Sequence, residues 1–244
     1  MIMPAAEALH GAHIVIIGGG SGIGRATALA VRKQGASVTL VGRSLEKLEA
    51  VAREIGGANV RVADIVDRKA VEAVFAGLLV VDHLVITAGS LGGGKLAESD
   101  PDDLLAAISE RISGPLYAIK AVMAAMPSTG SIVLTGGQFS DRPSGDGVAV
   151  VAAAVRGVEA LARSLALELK PIRVNVIAPG FVETPLFDAL GAETRSAVLA
   201  GAAAALPRGR IGQPGEVAEA ITFLLTNTYM NGEVLHIDGG GRLV

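Results

Sequence analysis

The chain has 244 residues, half of them apolar and 18% charged, which suits one folded domain and excludes a disordered chain. It has no cysteine, so disulfides, thiol catalysis and cysteine-held metals are excluded. The net charge of −3, with no basic run, argues against nucleic acid as a partner. Apolar runs such as 148–155 and 198–206 stop well short of the roughly 18–20 residues of a membrane-spanning helix. The opening MIMPAAEALH shows neither the basic region nor the apolar core of a secretory leader, so the expectation is a cytoplasmic protein.

Two periodicities alternate along the chain. Ile14–Ile17 is a continuous apolar run before a glycine cluster, as expected of a buried strand. Helical spacing over Ile23–Gln34 ends at Gly35, a C-terminal stop. Val38–Val41 predicts a strand, and Leu45–Ile55 a helix capped by Ser44. Val60–Ala63 is a third strand, Ala70–Leu78 a short helix and Leu84–Ile86 a fourth strand. After a glycine-rich loop at 91–94, Pro101 opens a long helix through Met126, with Asp102 and Asp103 in its first turn. Ile132–Thr135, Val174–Ala178 and Val234–Ile237 read as strands, and Val148–Leu169 and Val217–Leu225 as helices. Residues 184–210 are rich in alanine and glycine, with only weak helical pattern. The alternation predicts an α/β fold: a Rossmann-type, doubly wound parallel sheet of about seven strands with helices on both faces. No linker or repeat divides it.

The first strand runs into GGGSGIG at 18–24 and directly into a helix. Glycines permit a sharp turn close to a pyrophosphate, and the helix N-terminus presents free N–H groups to it. An ordinary strand-to-helix turn is the plainer alternative, but strand, turn and helix in this order favour the dinucleotide.

Read as GxxxGxG through Gly18, Gly22 and Gly24, this turn resembles that of the short-chain dehydrogenase/reductase family, with Ile17 in place of the family's usual threonine. Further landmarks follow in order from about residue 12 to 240: Asp64, ITAG at 86–89, RVNVIAPGFVETP at 173–185, and the C-terminal RIGQPGEVAEAITFLL and HIDGG. The resemblance implies that Gly18, Gly20, Ser21, Gly22, Ile23 and Gly24 cradle the pyrophosphate. It places Asp64 and Ile65 at the adenine and Ala88 and Gly89 at the end of the fourth strand. Pro179 and Gly180 would lie beside the nicotinamide, with Thr184 bonding its carboxamide.

The second strand ends in Gly42, Arg43 and Ser44, with no carboxylate before Glu46. An acid there would bond the ribose hydroxyl of NAD, whereas a guanidinium can take a 2′-phosphate. Arg43, with Ser44, therefore points to NADP(H); the alternative is a solvated arginine ahead of a charged helix.

The family's catalytic set is Asn, Ser and Tyr-x-x-x-Lys. Aligned on RGVEALARSLALEL at 156–169, those positions fall on Arg111, Gly137, Val151 and Val155. No tyrosine or lysine lies between Lys120 and Lys170, so no slip of alignment restores the pair. Tyr117 and Lys120 are three apart and belong to the preceding helix, where a structural role at a subunit interface is expected. Loss of a positioned acid typically costs about 10²–10⁴ in rate. Arg111 and Ser140 are the substitute candidates, followed by Gln138, Thr135, Asp141 and Asp146; the plainer view is that Arg111 pairs with Glu110 or Asp146 and that the loop polars are solvated. None of the four histidines supplies the missing donor.

Two functions follow. One is an NADP(H)-dependent oxidoreductase acting on a small carbonyl or alcohol at a non-standard site, walled by Phe139, Phe181 and Phe187 and closed by residues 184–210. The other is a catalytically silent NADP(H)-binding protein. A homo-oligomer, tetramer or dimer, fits either.

Overall fold

The computed structural model describes residues 8–90 and 92–244. The segment read for a secretory leader falls largely on residues 1–7, and the glycine-rich loop begins on residue 91; both lie outside the described residues.

Seven parallel strands form one sheet in the order β3-β2-β1-β4-β5-β6-β7. They are β1 (His13–Ile17), β2 (Ser37–Gly42), β3 (Asn59–Val62), β4 (His83–Ile86), β5 (Ser131–Thr135), β6 (Arg173–Pro179) and β7 (Val234–Ile237). The central strands are buried on both faces, which is why they read as continuous apolar runs. One face packs β1, β4, β5 and β6 on helices α3 (Arg68–Phe75), α5 (Gly114–Val122) and α6 (Ala149–Glu168). The other packs on α1 (Gly22–Lys33), α2 (Leu45–Glu54) and α8 (Pro214–Thr226). Strand order reverses between β1 and β4, where Ile17 pairs with Ile86. That switch point opens the crevice in which open α/β sheets hold their ligands.

The expected helix from Pro101 to Met126 is not continuous. It divides into α4 (Pro101–Ile108), a π-helical turn (Ser109–Ser113) and α5. Pro115 supplies the reason: it has no N–H for the carbonyl of Arg111 and its ring crowds that carbonyl. The backbone widens instead, and Gly114 N–H bonds the Ser109 carbonyl five residues back. A second difference lies at 184–210. Residues Pro185–Leu190 form a 3₁₀ segment and Ala192–Ala205 a full helix, α7. Alanine favours helix intrinsically, while Leu199 alone is buried on α7, so no apolar stripe announced it.

Helix ends follow side-chain chemistry. Ser44 accepts from Lys47 N–H at 3.4 Å, and Asp67 from Ala70 N–H at 3.1 Å. Gln213 and Glu216 form a capping box that starts α8 at Pro214, ahead of the expected Val217. Arg210 and the backbone of Gln213 hold the Glu216 carboxyl down at about 2.

His83, at the start of β4, places Nδ1 2.8 Å from Ser131 Oγ. Burial pushes its pKa down to about 4, Asp82 opposing and Arg173 assisting. The folded protein thus prefers neutral His83, whereas the unfolded chain takes up a proton near pH 6.5. The resulting stability is fully present above pH 6.5 and lost as pH falls toward about 4. We predict a loss on the order of 3 kcal/mol across that window, measured by denaturant unfolding. His83→Gln should flatten the slope; an unchanged slope refutes the assignment.

Candidate functional site

The turn after β1 is fixed by backbone bonds. Gly18 and Gly19 N–H groups donate to the Val41 carbonyl at 2.8 and 3.1 Å, and Thr87 N–H donates to the Ile17 carbonyl at 2.8 Å. Gly18 holds φ at +93°, which disfavours a side chain. A Cβ on Gly24 would stand 2.1 Å from the Gly18 carbonyl oxygen. The start of α1 therefore packs directly on the turn. Ser21, the N-cap, makes no capping hydrogen bond, and no acidic residue occupies the first turn. The helix end keeps free donors and a positive dipole end.

This turn floors a cavity of about 370 Å³ along the C-terminal ends of the strands. Every residue expected to hold the dinucleotide lines it: the 18–24 turn, Arg43 and Ser44 after β2, Asp64 and Ile65 after β3, Ala88 and Gly89 after β4, and Pro179, Gly180 and Thr184 after β6. Thr184 is buried, with its methyl and Cβ 3.2 Å from where a Gly22 Cβ would stand, so the loop after β6 closes over the turn. Gly180 packs so closely on Asp238 that a Cβ would lie 2.8 Å from the Asp238 Cα; this contact places the HIDGG segment.

Arg111, Gly137, Val151 and Val155 line the same cavity. Val151 and Val155 form a small apolar cluster with Ala107 and are packed by Phe139. Phe139, Phe181 and Phe187 all line the cavity, and the Phe181 ring stacks on Phe187 with centroids 5.9 Å apart. Arg111 projects from the π-helical turn with its side chain 12% exposed. Its Nη2 donates to the Ser90 carbonyl at 2.6 Å. Glu110 lies 4.0 Å from Nη1, so the expected acidic partner is present but loose. The Glu110 carboxylate itself accepts from Ser90 N–H and Oγ, both at 2.7 Å.

The family model described as enoyl-(acyl carrier protein) reductase matches residues 18–241. Carbonyl reductase family member 4 of Danio rerio is 32% identical over 239 residues, 94% of this chain and 98% of that protein. Short-chain dehydrogenase/reductase ATR9 of Stachybotrys chlorohalonatus is 32% identical, covering 96% of this chain and 98% of its own. The chain belongs to the short-chain dehydrogenase/reductase family. Among solved structures, a small-chain dehydrogenase in complex with NADPH superposes with a TM-score of 0.83 at 30% identity, covering 96% of this chain and 99% of its own.

Within this short-chain dehydrogenase/reductase, several expected polar groups are engaged elsewhere. Ser140 is not on the cavity wall: its hydroxyl donates to the buried Glu159 carboxylate at 2.6 Å. Arg156 bonds the same carboxylate at 2.8 Å, the Ser140 carbonyl at 2.7 Å and Asp141 at 2.8 Å. His236 Nε2 lies 2.8 Å from Asp141. This network ties the 138–141 loop to α6 and β7. Burial pulls the Asp141 carboxyl upward, but His236 and Arg156 outweigh it and hold it below the usual range. Asp141 is therefore an anion near neutrality rather than the titratable donor expected of a desolvated loop acid. Asp146 is bonded by Ser144 at the surface. His13, expected just ahead of the first strand, begins β1, with Nε2 2.8 Å from Thr39 Oγ1.

Sequence reasoning missed Lys47. It lines the cavity beside Arg43, and neither side chain makes an ion pair or hydrogen bond among the described residues. The position four residues after Arg43 was the available signal. Among the described residues no helix is long and apolar enough to cross a membrane, and no group of three or more His, Asp or Glu could hold a metal.

Proposed function

We propose that this chain is an NADP(H)-dependent oxidoreductase that acts on a small carbonyl compound or alcohol at a non-standard site. The observation that carries the reading is one continuous cavity, from the glycine turn and Arg43 to the apolar corner at Val151 and Val155. The residues fit the group: the glycine turn leaves no room for side chains over the free end of α1. Gly18, Gly20, Ser21, Gly22, Ile23 and Gly24 would hold the pyrophosphate, and Arg43, Ser44 and the neighbouring Lys47 the 2′-phosphate. Asp64 and Ile65 would border the adenine, with Ala88, Gly89, Pro179, Gly180 and Thr184 toward the nicotinamide. The NADPH complex of a structural relative and the carbonyl reductase among the sequence relatives support the same reading.

The bound dinucleotide supplies hydride chemistry. The chain's own residues shape and dry the far corner. Val151, Val155 and Gly137 offer no proton donor where the family keeps Tyr, Lys and Ser. Arg111 can polarise an oxygen through its N–H groups but does not release a proton under ordinary conditions. Residues 184–210, through Pro185, Leu186 and Phe187, close the substrate side. Exposed Leu105 and Leu116 on α4 and α5 suit a homo-oligomeric contact, dimer or tetramer.

The same apolar corner favours the second reading, a catalytically silent NADP(H)-binding protein. A single-turnover experiment separates them. NADPH bound to the protein is followed by its fluorescence, which the absence of tryptophan leaves nearly free of energy transfer, while a panel of carbonyl compounds is mixed in. Oxidation of bound NADPH by at least one compound is the expected result. Tight binding with no oxidation across the panel would replace the enzyme with the silent binder.

A further inference from the structure

Among the described residues, few buried side-chain atoms lack a hydrogen-bond partner, and one is Nη1 of Arg111, a residue that lines the cavity. The guanidinium is desolvated, and burial draws its pKa down against the opposing pull of Glu110. Its Nη2 is satisfied by Ser90. Among the described residues the one acid paired with Nη1 is Glu110 at 4.0 Å, whose carboxylate is already shared between two donors of Ser90. Leaving a buried charged donor unmet is costly, and an anionic oxygen would meet it with a short, charge-assisted bond. The cavity that Arg111 lines also carries the apolar side chains of Val151, Val155, Phe139, Phe181 and Phe187, along with polar Thr135 and Gln138.

A buried, unmet cationic donor in a cavity that also offers aliphatic and aromatic side chains selects a molecule of matching polarity. We propose that Arg111 binds the carboxylate of a substrate whose remainder is apolar and rests on these five side chains. The substrate class is thereby narrowed from small carbonyl compounds in general to those that also carry an acid group. This rests on the reading that the cavity takes a substrate beside the dinucleotide. Arg111 is here a specificity-determining residue, and its position follows from the π-helical turn that Pro115 imposes.

The test uses 3-phenylpropanoate and its neutral isostere 3-phenylpropanamide, titrated by ligand-observed NMR into the full-length protein. Titrations are run with saturating NADPH and, separately, without nucleotide. The acid should bind, and the amide roughly 10–100-fold more weakly, the difference expected of a hydrogen bond to a charged group. Arg111→Met should erase that preference and leave NADPH affinity within about threefold, whereas Arg111→Lys should keep part of it. Thermal melting establishes that each variant is folded. Should Arg111→Met fail to fold, the wild-type preference and its partial retention in Arg111→Lys decide. Equal binding of acid and amide overturns the proposal. So does binding of neither, or an Arg111→Met effect confined to NADPH affinity. If the wild-type protein ignores NADPH yet still prefers the acid through Arg111, the dinucleotide reading fails and the Arg111 assignment stands.

Discussion

Gly24→Ala is expected to destabilise the protein by about 3 kcal/mol and to abolish nucleotide binding. The sign is informative because two effects oppose each other. Gly24 lies inside α1, where replacement by alanine ordinarily stabilises a helix by roughly 1 kcal/mol. Here the new Cβ would meet the Gly18 carbonyl oxygen at 2.1 Å and Thr87 Oγ1 at 2.7 Å. No side-chain rotation relieves a clash with backbone, so α1 must move away from the turn. The steric term wins, and the displaced helix end no longer faces the cavity. Gly20→Ala is the matched control. Its Cβ would come no closer than 3.3 Å, to the Lys47 side chain, so the fold should survive while the cavity floor fills. Denaturant unfolding and NADPH titration of both variants check the pair. A Gly24→Ala protein as stable as wild type would refute the packing argument.

Arg43→Ala is expected to weaken NADPH roughly 10–100-fold and to leave NADH nearly unchanged, since a charge-assisted bond to the 2′-phosphate would be lost. Arg43 is exposed and makes no ion pair among the described residues, so stability should move by no more than about 0.5 kcal/mol. Lys47 lies near enough on the cavity wall to retain part of the affinity; the Arg43→Ala/Lys47→Ala double variant should therefore lose more than either single change. Equal loss for NADPH and NADH would remove the 2′-phosphate from the account.

The order of strands and helices was legible because each carries a clean period: the buried strands are continuous apolar runs and the helices show one apolar face. That the residues expected at the dinucleotide line one cavity was legible too, since they sit at strand ends that fall in register in a parallel sheet. What the sequence hid were consequences of packing. The π-helical turn was written in Pro115 and Gly114, yet a helical period alone carried the pattern through it. Gly114 is needed because a Cβ there would press within 2.7 Å of Ile65, a contact no local pattern reveals. Helix α7 has alanine but no stripe. Ser140 looked like a free donor until the fold set it against Glu159, nineteen residues along the chain and on another element. Arg111 read as a substitute donor or the partner of Glu110 or Asp146; its burial follows from the widened turn and the neighbouring Gly89, whose missing Cβ leaves room for the guanidinium.

The central claim is that an intact NADP(H) cradle is joined to an apolar, tetrad-free corner. Side-by-side titration of NADPH and NADH into the wild-type protein, followed by nucleotide fluorescence, tests it most directly. The account predicts saturable NADPH binding at least about tenfold tighter than that of NADH. Absence of NADPH binding, or a preference for NADH, would contradict it.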